Sequence, residues 1–399
     1  MMDEFKLTEY HAIAVAAVVI FIGRLISSRF PLLARYCIPI PVIGGMVFSL
    51  CNLLTYCLGY GFVTFNNALQ VFFMTLFFCS VGFSASFRLL KVGGIQVVIF
   101  LLVSVALVVA QNCIGCGMAD LFGLDAKLGL LMGSVPLVGG HGTAGSFGPL
   151  IENSFGVPNA ASVSLASATF GLVAGSILGG PVARRRIVAR KLSPVAKVAD
   201  QPLVDEENLV HHPVNLERFL NAILLLCVAV GLGTVIYEFF KGIGVTFPTY
   251  IGAMLVACAL RNGADLLRKD APMVEIDCLG SLSLNMFLGM ALMSLRLWQL
   301  AELAIPMITI LLTQMAFMGL FAYYVVFNIM GRDYEAACFS AGACGFGLGA
   351  TPNAMANIQA VNRTFGPSPR ALFVIPIVGS LFIDFFNSLV ITIFLNVFK

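Results

Sequence analysis

Ten long apolar stretches dominate this chain and leave it few ways to fold. Each is near the roughly 17–25 residues that a helix needs to cross a bilayer core. They lie near 10–27, 37–59, 68–86, 94–119 and 158–183 in the first half, and near 216–239, 246–261, 277–295, 302–330 and 370–397 in the second. Lipid offers the backbone no hydrogen bonds, so stretches of this length satisfy their N–H and C=O groups internally, as helices. The expectation is an all-α polytopic membrane protein. Composition agrees: of 399 residues, 59% are hydrophobic and 11% charged, against roughly 25% charged in a soluble domain. A soluble enzyme, a disordered chain and a nucleic-acid binder are excluded. The start, Met1-Met2-Asp3-Glu4, lacks the basic region of a secretory signal, so the first apolar run reads as a permanent span. The 11 cysteines are scattered through apolar runs, and the Cys113/Cys116 pair reads as small buried hydrophobes.

One long polar stretch, 184–213, interrupts the pattern. It carries Arg184, Arg185, Arg186, Arg190, Lys191 and Lys197, and three prolines. It reads as a cytoplasmic linker, because loops rich in Lys and Arg stay inside. The domains are then 1–183, the linker 184–213, and 214–399. With five spans on each side of an inside linker, both termini face outward, and most of the 23 basic residues fall on the linker's side.

The two halves resemble each other at an offset of about 207–210 residues. Pro41-Val-Ile-Gly-Gly45 meets Pro248-Thr-Tyr-Ile-Gly252, Ser86-Phe-Arg88 meets Ser294-Leu-Arg296, and Phe155-Gly156 meets Phe365-Gly366. An odd number of spans per half inserts the second copy upside down. Inverted repeats of this kind mark secondary transporters, where one sequence packed in two ways gives inward-open and outward-open states.

Two Gly-rich stretches fall between the fourth and fifth span of each half, over 128–148 and 335–358. The first contains Gly139-Gly140-His141-Gly142-Thr143, the second Gly345-Phe-Gly347-Leu-Gly349-Ala-Thr351-Pro352-Asn353. Both hold too many Gly, and a Pro, for a continuous helix. Irregular backbone at membrane depth survives only where protein buries it or water reaches it. Each stretch therefore reads as a re-entrant hairpin, entering from opposite faces, with tips meeting near the midplane. Free N–H groups at helix starts bind carboxylates, and unwound carbonyls with Thr or Asn oxygens coordinate sodium. His141, Thr143, Thr351 and Asn353 are the polar side chains in place. Asp384, in the last span one turn from Asn387, is a charge at membrane depth and a candidate for cation coordination or proton exchange. Gln111, Asn112 and Gln314 either line the path or bond helix to helix.

The runs Gly-Gly-His141-Gly-Thr, Cys-Gly-Phe-Gly-Leu-Gly-Ala-Thr-Pro with Asn353-Ala, Phe365-Gly-Pro, Asn112-Cys-Ile-Gly and Phe382-Ile-Asp384 resemble the bacterial glutamate–sodium symporters over essentially the whole chain. That family is similar to the citrate–sodium symporters. The resemblance implies sodium-coupled uptake of L-glutamate across the bacterial inner membrane, by a homodimer whose hairpin-bearing part moves as an elevator. It places substrate at Gly140, His141, Gly142, Thr143, Gly349, Thr351, Pro352 and Asn353, and sodium at Gly139, Gly345, Gly347, Asn353 and Asp384. Sodium is the coupling ion, and no other cofactor and no nucleic acid is implied. Arg363 and Arg370 are left out of the substrate site. A carrier for another small carboxylate, a cation–proton exchanger and a passive channel are the alternatives. No nucleophile–base pair or metal cluster points to an enzyme.

Overall fold

The computed structural model describes residues 4–30, 38–87, 94–194, 216–243, 248–300 and 303–397. Most of the linker, including Lys197, and the repeat match at Arg88 lie outside the described residues. The rest is mostly helical. The helices of the first half are α1 Glu9–Arg29, α2 Ile40–Cys57, α3 Ala68–Ser84 and α4 Gly94–Leu121, then the short α5 Ala126–Leu130 and α6 Ser134–Leu137, followed by α7 Gly140–Phe155 and α8 Ala160–Arg190. The second half has α9 Leu216–Gly242, α10 Thr249–Leu266, α11 Met273–Met293, α12 Ala304–Ile329, α13 Tyr334–Leu348, α14 Thr351–Phe365, α15 Pro369–Pro376 and α16 Ile383–Val397. Among the described residues, seven helices are long and apolar enough to cross a membrane, and the bent run Pro369–Gly379 with Ile383–Val397 would make an eighth. The remaining two expected spans are helices of 17 and 18 residues, α3 and α10.

Two features depart from expectation. The chain is not wholly helical: β1 Glu4–Leu7 pairs in parallel with β2 Phe62–Phe65. Here β-branched and aromatic residues outside the apolar runs find a backbone partner, and the Asn52 side chain fixes Val63 by donating to its carbonyl and accepting from its N–H. The boundary expected at 183 also falls inside a helix, since α8 runs through Arg190. Buried Arg186 explains the extension. It donates to the Tyr323 carbonyl at 3.0 Å, and its guanidinium lies 3.5 Å from the Tyr323 ring centre. That carbonyl belongs to a π-helical stretch, Phe321–Val326, where the usual backbone ladder is relaxed.

The helices sort into two bundles. The first three of each half, α1–α3 and α9–α11, pack mainly on one another. The later elements, α4–α8 and α12–α16, form the second bundle and hold most of the buried hydrophobic core. Few contacts join the bundles.

Inside the first bundle the same crossing occurs twice. A Cβ on Gly44 would lie 1.9 Å from the Val19 carbonyl oxygen, where α1 crosses α2. A Cβ on Gly252 would lie 2.1 Å from the Gly233 oxygen, where α9 crosses α10. In lipid, helices gain little by hiding apolar surface from water, so close backbone approach at small residues carries the association. Gly233→Ala would set a methyl 2.3 Å from the Ala253 nitrogen, whereas Gly231 has open space. Gly233→Ala should destabilise the protein by about 1–3 kcal/mol, the usual cost of overpacking, and Gly231→Ala should not. Thermal unfolding of both variants in detergent measures the difference.

Candidate functional site

The site is built from two breaks in helices of the second bundle. In the first half the chain runs through α5 and α6, breaks at Val138–Gly139, and restarts as α7 at Gly140. Gly140 has φ +59°, a left-handed backbone that stops a helix and that glycine adopts without strain. In the second half α13 ends at Leu348, Ala350 is extended, and Pro352 sits in the first turn of α14. Proline fits there because a first-turn N–H has no helical partner to lose.

The second segment folds back on itself along its whole length. A Cβ on Gly345 would meet the Ala354 nitrogen at 2.5 Å. Asn357 Nδ2 donates to the Ala341 carbonyl at 3.2 Å, and the Tyr334 hydroxyl donates to the Gly366 carbonyl. Its base is closed by Arg370, which donates to Asp333 at 2.9 Å, and by Glu335, which accepts from the Ala371 N–H at 3.1 Å. Arg370 is thus a structural tie. The first segment is splayed instead. Its arms pack on different neighbours, α5 on α4 and α7 on α8, because Gly129 seats against Gly115 and Gly148 against Ala161. The bases of its arms still meet, with the Lys127 ammonium 5.6 Å from the Phe155 ring centre.

Helix α4 shows how the segments are opposed. Near its start, Gln96 accepts from Arg370 Nε at 3.1 Å, at the base of the second segment. Its far end leads into Asp125 and Lys127, at the base of the first. At its middle, Gln111 Nε2 donates to the Gly347 carbonyl at 2.8 Å, and Asn112 Oδ1 accepts from the Ser134 N–H at 2.9 Å. The two segments therefore approach from opposite ends of the bundle. Their breaks touch: a Cβ on Gly140 would lie 3.1 Å from the Gly349 carbonyl oxygen.

This meeting point gathers complementary chemistry. Neither α7 nor α14 has a side-chain cap at its start. The first-turn N–H groups of a helix have no partner within it, and each helix start carries about half a positive charge. Asn353 is fully buried and donates to the Leu172 carbonyl at 2.8 Å, while its Oδ1 has no partner among the described residues. Thr143 is also fully buried with an unpartnered Oγ1. Its side chain occupies the space that a Cβ on Gly139 would need. His141 is buried, with Nε2 3.0 Å from Thr169 Oγ1. Gly142 and Thr351 are partly buried and Pro352 is exposed, so the meeting point is not sealed.

Not every expected residue opens onto it. Gly345 and Gly347 lie on packed faces of α13. The Gly347 carbonyl is taken by Gln111, and the Gly345 carbonyl accepts from the Ala350 N–H at 3.2 Å. Asp384 is partly buried on the last helix, between two contacts to the broken segments. Gly379 packs on Thr351 to one side of it, and Asn387 exchanges hydrogen bonds with Ser134 to the other. It makes no ion pair among the described residues. Gln111, Asn112 and Gln314 bond helix to helix, Gln314 Nε2 donating to the Gln111 carbonyl at 2.7 Å.

Sequence reasoning missed Tyr250, Ser146 and Ser388. The Tyr250 hydroxyl lies 3.4 Å from Ser146 and 3.5 Å from Ser388, within electrostatic reach of Asp384. Tyr250 belongs to the first bundle and the other three to the second, so this contact joins the bundles. A lone Tyr in an apolar span gave no signal of it. A cavity of about 190 Å³ also lies between the bundles. It extends from Arg296, Glu152 and β2 to Gly145, one turn from His141 and Gly142.

The family model described as Sodium/glutamate symporter matches residues 5–367. The sodium/glutamate symporter of Escherichia coli is 40% identical over 98% of both chains, and that of Haemophilus influenzae is 37% identical over 96% of both. A solved sodium proton antiporter from Methanocaldococcus jannaschii overlaps 97% of this chain and 96% of its own, at 14% identity and a TM-score of 0.46. Matched along nearly its whole length, the chain belongs to the sodium/glutamate symporter family.

Proposed function

We propose that the protein is a sodium-coupled carrier that takes up L-glutamate across the bacterial inner membrane by alternating access, with the meeting point of the two breaks as its substrate and ion site. The observation that carries this reading is the pair of uncapped helix starts brought together at mid-bundle. L-Glutamate presents two carboxylates and one ammonium. Two helix starts offer two positive ends for the carboxylates, at Gly140, His141 and Gly142 and at Thr351 and Asn353. The C-terminal end of α13, with the Gly349 carbonyl beside Gly140, suits a cation. The unpartnered oxygens of Thr143 and Asn353, with Gly139 and Asp384, supply hard oxygen ligands for sodium or the substrate ammonium. The names of the relatives supply the identity of substrate and ion.

Several further features complete the reading. The two halves are inverted repeats and the broken segments are re-entrant hairpins, which accounts for their entry from opposite ends. The bundle that carries them moves as an elevator against the other bundle, which serves as scaffold and as the face of a homodimer. Sparse contact between bundles suits such sliding. Both termini are periplasmic, and the cleft that reaches Gly145 from Arg296 opens to the same side.

Three outcomes test the proposal. Reconstituted protein should accumulate labelled L-glutamate only under an inward sodium gradient. Uptake that ignores sodium would sink the coupling. Thr143→Val keeps the shape of the side chain but removes a buried unpartnered hydroxyl, a group that costs roughly 1–3 kcal/mol to leave unpaired. It should leave ligand-free thermal stability equal or raised while weakening substrate or sodium affinity about tenfold.

A third outcome concerns the carboxylate. Asp384→Asn keeps size and hydrogen bonding but removes charge. It should raise the sodium concentration for half-maximal uptake about tenfold, the worth of one charge-assisted contact. An unchanged sodium titration in a well-folded variant would remove Asp384 from the ion site.

A further inference from the structure

A second binding feature lies away from the broken segments, on the outer face of the second bundle. Two helical stripes face each other there. Leu178, Pro181, Val182 and Arg185 come from α8, and Leu312, Met315, Ala316, Gly319, Leu320, Tyr323 and Tyr324 from α12. Between them runs a groove of about 610 Å³. Both stripes follow the three-to-four spacing of a helix face. The large apolar side chains along it are open to the surroundings: Leu312 is 52% exposed and Leu320 59%.

The groove is graded along its length. Leu178 meets Gly319 at its apolar part, and Arg185 lies over Tyr323 at its polar end, 5.8 Å from the ring centre. At 1.5 Å per residue, Leu312 to Tyr324 spans roughly 18 Å. That is close to half of a hydrocarbon core about 30 Å thick, so the groove has the reach of a single leaflet. At the polar end Arg186 is already committed to the Tyr323 carbonyl and ring. Arg184, Arg185 and Arg190 are exposed and have no acidic partner among the described residues. Among the described residues, three guanidinium groups therefore stand without a compensating carboxylate at the polar end of an apolar groove. Arginine binds phosphate through paired N–H groups, and basic pockets between helices near the cytoplasmic surface hold anionic head groups.

We infer that this groove holds one anionic phospholipid, an acyl chain lying along Leu312–Leu320 and its phosphate at Arg185, with Arg184 and Arg190 beside it. Charge complementarity selects this occupant over a zwitterionic lipid, and the leaflet-length apolar floor selects a lipid over free phosphate. The inference stands apart from the carrier's substrate, because none of these residues belongs to the breaks.

Native mass spectrometry of the delipidated full chain tests it. The protein is titrated with equal amounts of phosphatidylglycerol and phosphatidylcholine. The intact protein should retain phosphatidylglycerol over phosphatidylcholine by at least about fivefold, the contribution of a single arginine near an anionic surface. Arg185→Glu should bring the ratio near one, and Arg185→Lys should keep most of the preference. Ala316→Phe, at an exposed position on the groove floor, should abolish retention of either lipid at this site while eluting as a folded protein in size exclusion. Equal retention by the wild type, or an unchanged preference in Arg185→Glu, overturns the inference. So does displacement of the lipid by millimolar inorganic phosphate, which would assign the arginines to a free anion. A change of oligomeric mass in Ala316→Phe, with lipid retention unaltered, would assign the groove to a second copy of the chain and overturn it equally.

Discussion

Everything in the second bundle answers to one constraint: two helices are interrupted where no water is assured, and their freed backbone groups must find partners. Lipid cannot supply them. The protein answers by setting the interruptions against each other, Gly140 beside the Gly349 carbonyl, and by clasping the strands around them with amide side chains. Gln111 holds the Gly347 carbonyl, Asn112 the Ser134 N–H, Asn353 the Leu172 carbonyl and Asn357 the Gly175 carbonyl. A carboxamide carries donor and acceptor without charge, so it can replace a missing rung of a helix ladder at low cost in desolvation. What these amides leave unfilled is as telling. Among the described residues the oxygens of Asn353 and Thr143 have no partner, and α7 and α14 start without a side-chain cap.

The two bundles divide the work of the chain. The first is tied by glycine crossings and by cross-packing between halves, with Gly45 of α2 against Leu292 of α11, and Gly82 of α3 against Met254 of α10. Helices that touch backbone to backbone cannot slide past one another without clashing. The second is held by hydrogen bonds around the breaks and by the stripe Gly171, Gly175 and Gly179 of α8, seated on α13 and α14. Between them lies a sparse seam, bridged by Tyr250 through two long hydroxyl contacts. Contacts of that length are cheap to exchange.

The parts of this arrangement legible in the sequence were those written in local chemistry. Runs of apolar residues gave helices at all ten expected positions, and Gly with Pro located both breaks to within a few residues. The glycines that the sequence sets in correspondence, at Gly44–Gly45 and Gly252, both lie at close helix crossings. What escaped depended on direction. Nothing local distinguishes Gly347, which faces the packed side of α13, from Gly349 two residues on at the break. Nor could spacing reveal that the first segment would splay and the second close, because this follows from which neighbour each small residue meets. The short strands were hidden by their length, and the helical path of Arg184–Arg190 by the charge of a segment whose middle guanidinium is stacked on an aromatic ring.

The pairing of β1 with β2 has a practical consequence. Residues 4–7 look like a disposable leader to the first helix, yet they supply the backbone partners of Phe62–Phe65, three of whose residues wall the inter-bundle cavity. A truncation beginning at the first helix would expose a raw strand edge at the mouth of that cavity, and such an edge recruits stray chains. Expression tags and crystallisation deletions are therefore better designed around the opposite end of the molecule, with Glu4–Leu7 kept as the partner of the strand that walls the cavity.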